Sequence, residues 1–594
     1  MSEADADAAP TLRDKFLDRT RGFTPIRTEK LITRPRGGRP PLWLRNRVGV
    51  VAGAQAAASL WRAADTVALT PETVVDGTDW GALDALVICA GILPMHEPWR
   101  RALLGLRDEA PLLAFLVADA RSHGVPVVLW LAEEPGAEGM FAHLFSHADL
   151  IVAPPGLAVD DTRPVLRQGP HVDARVFNPI APAFDEARAR MPLFSFLLDG
   201  YHEIGMKTSP AEMMDWLGPL LDYNWWAFDG SVDIRNNDNK HSAAMRRRFM
   251  GTLKGGDLAH PLRLAQALVL HSSLTEARPH YARRRCLEAG ACKTAVLTDD
   301  AALATLPFIR HADGPDAIGR AVEWLLTDEV GANALQHLAW RHVMSECTTL
   351  DAVAAILARL GVAPDWSEPP DAKVNVVVPT IRPELIPFLL DTVDAQIHPD
   401  VALSIVVNGV EVPPEYRRLV EAHPTATLHS MPNDKSIGYC INYGVDQVEA
   451  PFWAKFDDDD IYGPHYLSDL LLQRKYARFD ITGKAAFFNW FEGGDRMHTR
   501  RMDLRDTYIQ TVGGGTLVVR QGAEWFPEDV RGYADTLFLY NAQDRGKAIL
   551  SGDPFNFIQV RRSDVKSHTW TAGAHQLNLN GPRRPGLDFM GAII

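Results

Sequence analysis

The sequence predicts an α/β protein with two blocks of parallel α/β pattern joined by a proline-rich segment. Three observations support this fold class. The chain has 594 residues, which is too long for one hydrophobic core. Short apolar runs alternate with stretches of helical periodicity, the order that produces parallel sheets. The polar, proline-rich segment 361–372 interrupts this alternation and predicts a linker.

Composition and charge narrow the class of protein. Hydrophobic residues make up 46% of the chain and charged residues 23%, so packed cores are expected. The net charge of −14 argues against a general nucleic-acid binder. The cysteines are Cys89, Cys286, Cys292, Cys347 and Cys440. They are scattered and form no CxxC pair, which indicates reduced thiols in a cytoplasmic protein and neither a disulfide framework nor a zinc site.

The N-terminal segment, residues 1–45, is a basic arm without the apolar core of a secretion signal. The longest apolar run, ALVICAGILPM, is too short to span a bilayer. We therefore expect neither secretion nor membrane spanning. The arm is either a flexible or docking tail, or a patch that makes peripheral contact with the inner membrane face.

The first block covers residues 46–360 in two halves, at about 46–185 and 190–360. In the first half, RVGVVAGA, ALVICAG, VPVVLWLAE and ADLIVAPP are apolar throughout, which predicts buried parallel strands. In the second half, a strand AQALVLHSS, a helix PHYARRRCLEAGA and a strand KTAVLTD precede a helical tail that ends at Gly361.

The second block, residues 373–594, opens with the strands VNVVVPT, LSIVVNG and ATLHS, each followed by a helix. Its fourth strand runs into four aspartates, 457–460. Ligands bind at the carboxyl ends of strands in open α/β sheets. Adjacent carboxylates repel, and a divalent cation such as Mg²⁺ or Mn²⁺ would relieve the repulsion. A solvated acidic turn or a helix N-cap is the alternative, and the spacing excludes an EF-hand.

Five segments carry a resemblance to a known family. They are NVVVPTIRPELIPFLLDTV, NDKSIGYCINYGVDQVEAPFWAKFDDDDIYGPHYL, TVGGGTLVVR, GYADTLFLYNAQDRGKAILSGDPFNFI and RRSDVKSHTW. In their order and spacing, residues 373 to about 571 resemble the family 2 glycosyltransferases, which have the GT-A fold. The resemblance implies a mixed sheet, a nucleotide-sugar donor, a divalent cation (Mn²⁺ or Mg²⁺) and a glycan or lipid-linked acceptor.

The resemblance also implies roles for individual residues. The implied donor-binding residues are Pro379, Thr380, Arg382, Asn408, Asp457, Asp458 and Gly514. The implied metal ligands are Asp457, Asp459, Asp460 and His568. Asn408 departs from the family, which usually has an acidic pair at this strand end. The alternative interpretation of His568 is a structural role.

Two further segments complete the implied site. Asp535 is the implied general base, with Ala534 in place of a second acid and a helix N-cap as the alternative role. Glycines 513–515 would let the backbone approach the sugar or the acceptor, or form a tight turn before a strand.

The first block carries a weaker resemblance to GT-B glycosyltransferases related to the spore-maturation CgeB proteins. The stretch SSLTEARPHYARRRCLEAGACKTAVLTDDAAL implies that Arg278 and Glu288 hold a donor nucleotide. The helix after Pro279 would help to bind its diphosphate. An amphipathic helix on a scaffold without nucleotide is the alternative. Glu133 and Glu134 have no assigned role, and the cluster LDYNWWAFDG would either stack a sugar or pack in a core.

The resemblances thus imply a glycosyltransferase, metal-dependent and inverting in its C-terminal domain, that builds a surface polysaccharide or a protein-linked glycan. Activity of the first block would make it bifunctional. A carbohydrate-binding or assembly protein with a degenerate first block is the alternative. A sugar nucleotidyltransferase is less favoured, because PTIRPELIPF lacks the glycines of its usual loop.

Overall fold

A computed structural model of the chain gives two compact units. The described residues are 40–70, 73–74, 77–90, 99, 102–103, 110–131, 138–159, 162–180, 193–197, 216–220, 225–229, 249–252, 255–272, 279–491, 496–530, 532–561 and 589–594. Unit 1 contains residues 43–179 and 185–367, and unit 2 contains residues 368–594 with 40–42 and 180–184. The division between Ser367 and Glu368 falls within the predicted linker. Most of the predicted basic arm, residues 1–39, lies outside the described residues.

The first half of unit 1 is a parallel sheet of six strands in the order β2-β1-β3-β4-β5-β6. The strands are β1 (Leu44–Val51), β2 (Ala64–Ala68), β3 (Ala85–Ala90), β4 (Val127–Leu131), β5 (Leu150–Ala153) and β6 (Val165–Arg167). The helices are α1 (Ala54–Ala63), α2 (Ala110–Ser122) and α3 (Glu138–Phe141). All four predicted strands are confirmed. Strands β4 and β5 are buried along their whole length, as expected for apolar runs covered on both faces.

The second half of unit 1 is another parallel sheet, in the order β12-β11-β10-β7-β8-β9. The strands are β7 (Leu193–Leu197), β8 (Trp225–Asp229), β9 (Phe249–Thr252), β10 (Ala265–Leu270), β11 (Ala295–Thr298) and β12 (Ile309–His311). The helices are α4 (Ala259–Leu264), α5 (Pro279–Ala291), α6 (Pro315–Thr327), α7 (Glu329–Glu346) and α8 (Thr349–Arg359). The predicted helix PHYARRRCLEAGA is α5, and the helical tail is α6 to α8. Helix α8 ends just before Gly361, whose φ of +78° suits a residue without a side chain.

Unit 2 contains a mixed sheet of eight strands and a smaller sheet of four. The strands are β13 (Val374–Thr380), β14 (Val401–Asn408), β15 (Ala426–Met431), β16 (Phe452–Lys455), β17 (Ile461–Tyr462), β18 (Ile481–Gly483), β19 (Phe487–Phe491), β20 (Arg496–Arg500), β21 (Thr507–Tyr508), β22 (Val518–Arg520), β23 (Ile549–Ser551) and β24 (Phe557–Arg561). The helices are α9 (Ile386–Asp394), α10 (Pro414–Ala422), α11 (Ile437–Asp446), α12 (Tyr466–Leu472), α13 (Ala534–Asp544) and α14 (Phe589–Ala592). No helix in the described part of the chain is long and apolar enough to cross a membrane.

The large sheet has the order β15-β14-β13-β16-β22-β18-β23-β21, and the small sheet has the order β17-β24-β19-β20. Strands β13 to β16 are parallel and confirm the predicted strands of the second block. Strand β22 runs antiparallel to both β16 and β18. The carboxyl ends of β13, β14 and β16 therefore share one edge of the sheet, and the acidic run follows β16 at that edge.

Helix α11 lies close to the large sheet because Gly444 has no side chain. A Cβ atom at this position would lie 2.6 Å from Cγ1 of Val377 on β13 and 3.1 Å from Cγ2 of Val406 on β14. The valine methyl groups occupy that space, so a larger residue would push the helix away from the strands.

We expect Gly444→Ala to lower the free energy of unfolding by about 1–3 kcal/mol, because overpacking outweighs the better helix propensity of alanine. Gly319→Ala, inside α6, is the matched control. Its Cβ would meet only Pro219, at an ordinary 3.5 Å, so we expect stabilisation by up to about 1 kcal/mol. Calorimetry of both variants tests whether the two substitutions change the free energy of unfolding in opposite directions. A more stable Gly444→Ala protein would contradict the close packing.

Candidate active site

The four aspartates after β16 differ in exposure. The side chains of Asp457 and Asp459 are 33% and 14% exposed. Asp458 and Asp460 are buried. Their partners also differ, because the run turns sharply between β16 and β17 and sends neighbouring side chains in different directions.

Arg382, from the loop after β13, binds two of these aspartates. Its Nε donates to Oδ2 of Asp458 at 3.0 Å, Nη2 donates to Oδ1 of Asp458, and Nη1 donates to Oδ2 of Asp459 at 2.9 Å. The hydroxyl of Thr380 also donates to Asp458. Burial acts to lower the pKa of Arg382, but the bonds to the two carboxylates outweigh it and raise that pKa. The loop after β13 is thereby fixed to the acidic run.

Lys455, the last residue of β16, holds a third aspartate. Its side chain is 2% exposed, and Nζ donates to Oδ1 of Asp457 at 2.5 Å and to the carbonyl of Gly514 at 3.3 Å. Oδ1 of Asp535 lies 3.5 Å from the same nitrogen. Burial acts to lower the pKa of Lys455, but Asp457 and Asp535 outweigh it and raise that pKa. Lys455 was not predicted as a site residue, although a lysine inside an apolar strand is a signal of a buried, paired cation.

Core packing explains why Lys455 meets Asp535. Trp453 and Lys455 lie on the same face of β16, since strand side chains alternate. Asp535 and Phe538 lie on the same face of α13, one turn apart. Phe538 packs edge-on against Trp453, with ring centroids 5.9 Å apart. Asp535 is the second residue of α13, and the N-cap is Tyr533, in the left-handed region at φ +59°.

The glycine loop before β22 leaves room for two carboxylates. A Cβ atom at Gly514 would overlap the carboxylate of Asp535. A Cβ atom at Gly515 would overlap Oδ2 of Asp457 and lie 3.2 Å from Oδ2 of Asp460. Glycines 513–515 were expected either to admit a sugar or an acceptor or to form a tight turn before a strand. They do form a turn before β22, since the amide of Thr516 donates to the carbonyl of Gly513 at 2.9 Å. The same glycines admit the acidic side chains.

Tyr462 and strand β24 fix the acidic run from the other side. The amide of Asp457 donates to Oη of Tyr462 at 2.8 Å, and Tyr462 donates to the carbonyl of Gly515 at 2.6 Å. The amide of Val560 donates to Oδ1 of Asp460 at 2.9 Å. Burial raises the pKa of Asp460 well above its usual value, and the charge of Asp457 adds to this effect.

The arrangement partly fits the divalent cation that the resemblance implies. Oδ2 of Asp457 and Oδ2 of Asp460 both face the space beside Gly515, and a cation there would relieve their repulsion. Mg²⁺ is commonly held by one or two carboxylates and completed by water and phosphate oxygens. Asp459 is bound to Arg382, and within the described residues the acidic run does not bring three carboxylates within 4.8 Å of one another.

The remaining predicted residues of unit 2 lie at two strand ends. Pro379 is half-buried near the end of β13. Asn408 ends β14, and its Nδ2 donates to the carbonyl of Lys435 at 3.1 Å. Its Oδ1 is buried and has no hydrogen-bond partner in the part of the chain that the structure describes. A buried oxygen without a partner calls for an explanation, and a ligand donor would supply one.

The residues predicted in unit 1 provide less support for a functional site than those of unit 2. Glu288 is buried on α5, where Nη1 of Arg285 donates to its Oε2 and Nε of Arg284 lies 3.6 Å from its Oε1. Its carboxylate is thus already paired within its own helix. Strand β8 holds the middle of the aromatic cluster 221–230. The predicted residues that lie outside the described part of the chain are Arg278, Glu133, Glu134 and His568.

No protein-family profile matches the chain, and no curated protein is similar to it. Its structure was also compared with solved structures. TarS 1–349 from S. aureus, in complex with UDP-GlcNAc, is 18% identical, with 34% of this chain and 62% of that chain covered and a TM-score of 0.28. The mannosyltransferase PcManGT from Pyrobaculum calidifontis, in complex with GDP-Man and Mn²⁺, is 16% identical, with 32% and 56% covered and a TM-score of 0.25. The chain spans less than two thirds of either protein, and similarity at these TM-scores assigns no function.

The raised pKa of Asp460 predicts a pH-dependent cost to stability. The folded state favours the protonated carboxyl, so stability is lost as pH rises from the unfolded pKa of about 3.9 through the folded pKa. Asp460→Asn removes this loss and keeps an acceptor for the Val560 amide. We expect the variant to be more stable than the wild type at pH 7 by about 0.5–2 kcal/mol, with the difference shrinking toward pH 4.

Calorimetry in EDTA across this pH range measures the effect. Asp503→Asn, at an exposed site on the same unit, is the control and should change stability little at any pH. A stability difference for Asp460→Asn that does not vary with pH would contradict the burial argument.

Proposed function

We propose that unit 2 transfers a sugar from a nucleotide-sugar donor to a hydroxyl group of a glycan or lipid-linked acceptor. One observation carries this proposal. Asp457 and Asp535, whose side chains are 33% and 40% exposed, lie against the same buried ammonium of Lys455 at the carboxyl edge of the sheet. Sugar transfer needs one group that acts on the donor and a separate group that accepts the proton of the acceptor hydroxyl.

The donor would lie across the carboxyl ends of β13, β14 and β16. Asn408 offers an unpartnered oxygen to an N–H or O–H group of the nucleoside. Pro379 and Thr380 would line the nucleobase pocket. Arg382 would act mainly by holding Asp458 and Asp459, since its guanidinium is already engaged with both.

Asp457 and Asp460 would hold the divalent cation, either Mn²⁺ or Mg²⁺. The cation would supply Lewis-acid stabilisation of the negative charge that develops on the leaving diphosphate. Asp458 and Asp459 would contribute indirectly, by keeping the acidic run in place through Arg382.

Asp535 would act as the general base. Its carboxylate takes the proton from the acceptor hydroxyl while that oxygen bonds to the anomeric carbon of the donor sugar. The bond from this carbon to the diphosphate oxygen breaks, its electron pair leaves with the nucleoside diphosphate, and the anomeric centre inverts. Burial raises the pKa of Asp535, which favours proton uptake, while Lys455 opposes the shift and solvent screens it.

A second transferase activity in unit 1 has less support. The carboxylate of Glu288, which would hold the donor nucleotide, is already paired with Arg285. A carbohydrate-binding or assembly role for unit 1 is compatible with that pairing. The bifunctional protein stays a prediction, and metal-independent activity would be its signature.

The test is nucleotide release by the full chain from UDP-, GDP-, dTDP- and CMP-sugars, with and without Mn²⁺. We expect metal-dependent release from one donor class, lost in Asp457→Asn. Asp535→Asn should lower turnover by about 10²–10⁴-fold, the usual contribution of a general base. Asp544→Asn, at the other end of the same helix, is the matched control and should turn over like the wild type.

Wild-type release that persists in both Asp457→Asn and Asp535→Asn would show that the site is wrong. Metal-independent release that remains in Asp457→Asn would point to unit 1. If no donor releases nucleotide, calorimetry with free nucleotides follows, and binding without turnover would favour the binding-protein alternative.

A further inference from the structure

Another buried lysine of unit 2, Lys484, shows what is unusual about Lys455. Lys484 is fully buried, and its Nζ lies 3.0 Å from the carboxylate of Asp553, which is 1% exposed. That pair is closed to solvent on both sides, as expected for a structural ion pair. Lys455 is almost as buried, but its two carboxylate partners are 33% and 40% exposed.

Burying an ammonium group destabilises the folded state unless good partners compensate for the lost hydration. At Lys455 the partners are three acceptors on three separate segments. They are Oδ1 of Asp457 at 2.5 Å, the carbonyl of Gly514 at 3.3 Å and Oδ1 of Asp535 at 3.5 Å. The acidic run, the glycine loop and the start of α13 therefore converge on one atom.

We propose that Lys455 is a positioning residue that sets the separation of Asp457 and Asp535 and competes with the divalent cation for Asp457. This inference rests on the proposed function, and it adds a residue that the sequence resemblance does not assign. The ammonium occupies Oδ1 of Asp457, while Oδ2 faces Gly515 and Asp460. The cation and the ammonium would thus share one carboxylate.

The proposal predicts two effects of opposite sign. Removing the ammonium frees Oδ1 of Asp457 and removes a positive charge beside the cation, so cation affinity should rise. Asp535 loses its anchor at the same time, so turnover should fall. If Lys455 contributed only to stability, its removal would lower both cation affinity and turnover, because a distorted site binds and reacts less well.

The experiment compares Lys455→Met with the wild-type full chain and with Lys484→Met. Binding of Mn²⁺ alone is measured from the electron paramagnetic resonance signal of the free ion. We expect Lys455→Met to lower the Kd for Mn²⁺ on the order of tenfold. Its kcat for nucleotide release should fall about 10²-fold, the usual cost of misplacing a reacting group. Lys484→Met should lower the Tm without tightening Mn²⁺ binding.

Lys455→Arg keeps the test decisive if Lys455→Met does not fold. The guanidinium retains the charge but changes the spacing, so the Kd for Mn²⁺ should stay near the wild-type value while kcat falls. Unchanged kcat in Lys455→Arg, or weaker Mn²⁺ binding in a folded Lys455→Met protein, would overturn the proposal.

The two measurements also separate this proposal from the proposed function. If the wild type releases nucleotide from no donor, the proposed function fails and turnover gives no comparison. The Mn²⁺ titration then decides alone. Tighter binding by Lys455→Met would support the competition at Asp457, and equal binding by the two proteins would overturn it.

Discussion

Repulsion between like charges constrains how unit 2 is built. Five carboxylates, from the acidic run and Asp535, meet at one edge of the large sheet. Two of the cations that oppose them each come from the end of a strand in that sheet, and a third, Arg561, ends β24 of the small sheet. Arg382 follows β13 and binds two of the carboxylates, while Lys455 ends β16 and contacts two others. Because the strands are parallel neighbours, both cations arrive at the same edge, and the acidic run can fold against them.

The hydrophobic core sets the geometry of these charges. Alternation along β16 places Lys455 on the same face as Trp453, and the helical repeat places Asp535 on the same face as Phe538. Phe538 packs against Trp453 and stacks on Phe526, with the centroids of the two phenylalanine rings 4.4 Å apart. This packing fixes where α13 begins. A substitution in this aromatic cluster would therefore also alter the separation between the charges of Lys455 and Asp535. The core therefore contributes to the geometry of the candidate site, in addition to the ion pairs and hydrogen bonds of the site itself.

Local patterns in the sequence were sufficient for the most apolar parallel strands, such as β4, β5 and β13, and for the position of the acidic run. The run VNVVVPT coincides with β13, because a strand covered on both faces is a nearly continuous apolar run, here with only Asn375 and Thr380 as polar residues. The later strands could not be predicted in the same way. Strand β18 has three residues and pairs with β23, 68 residues later, which is too short for periodicity and too distant for turn signals. The ion pairs were equally hidden, since no local pattern shows that Arg382, an implied donor-binding residue, binds aspartates 76 and 77 positions away.

The four residues of the acidic run are all aspartates, but each has a different chemical environment. Both ends of the run are fixed, by Lys455 before it and by Tyr462 after it. Loss of any one of the four codons would yield the same protein, with three aspartates left for four sets of partners. Either Arg382 or the Val560 amide would then lose a carboxylate. In a disordered acidic tract, loss of one aspartate would remove no specific contact. Here the repeat behaves as a unique sequence, so selection should act on its length as strictly as on its composition.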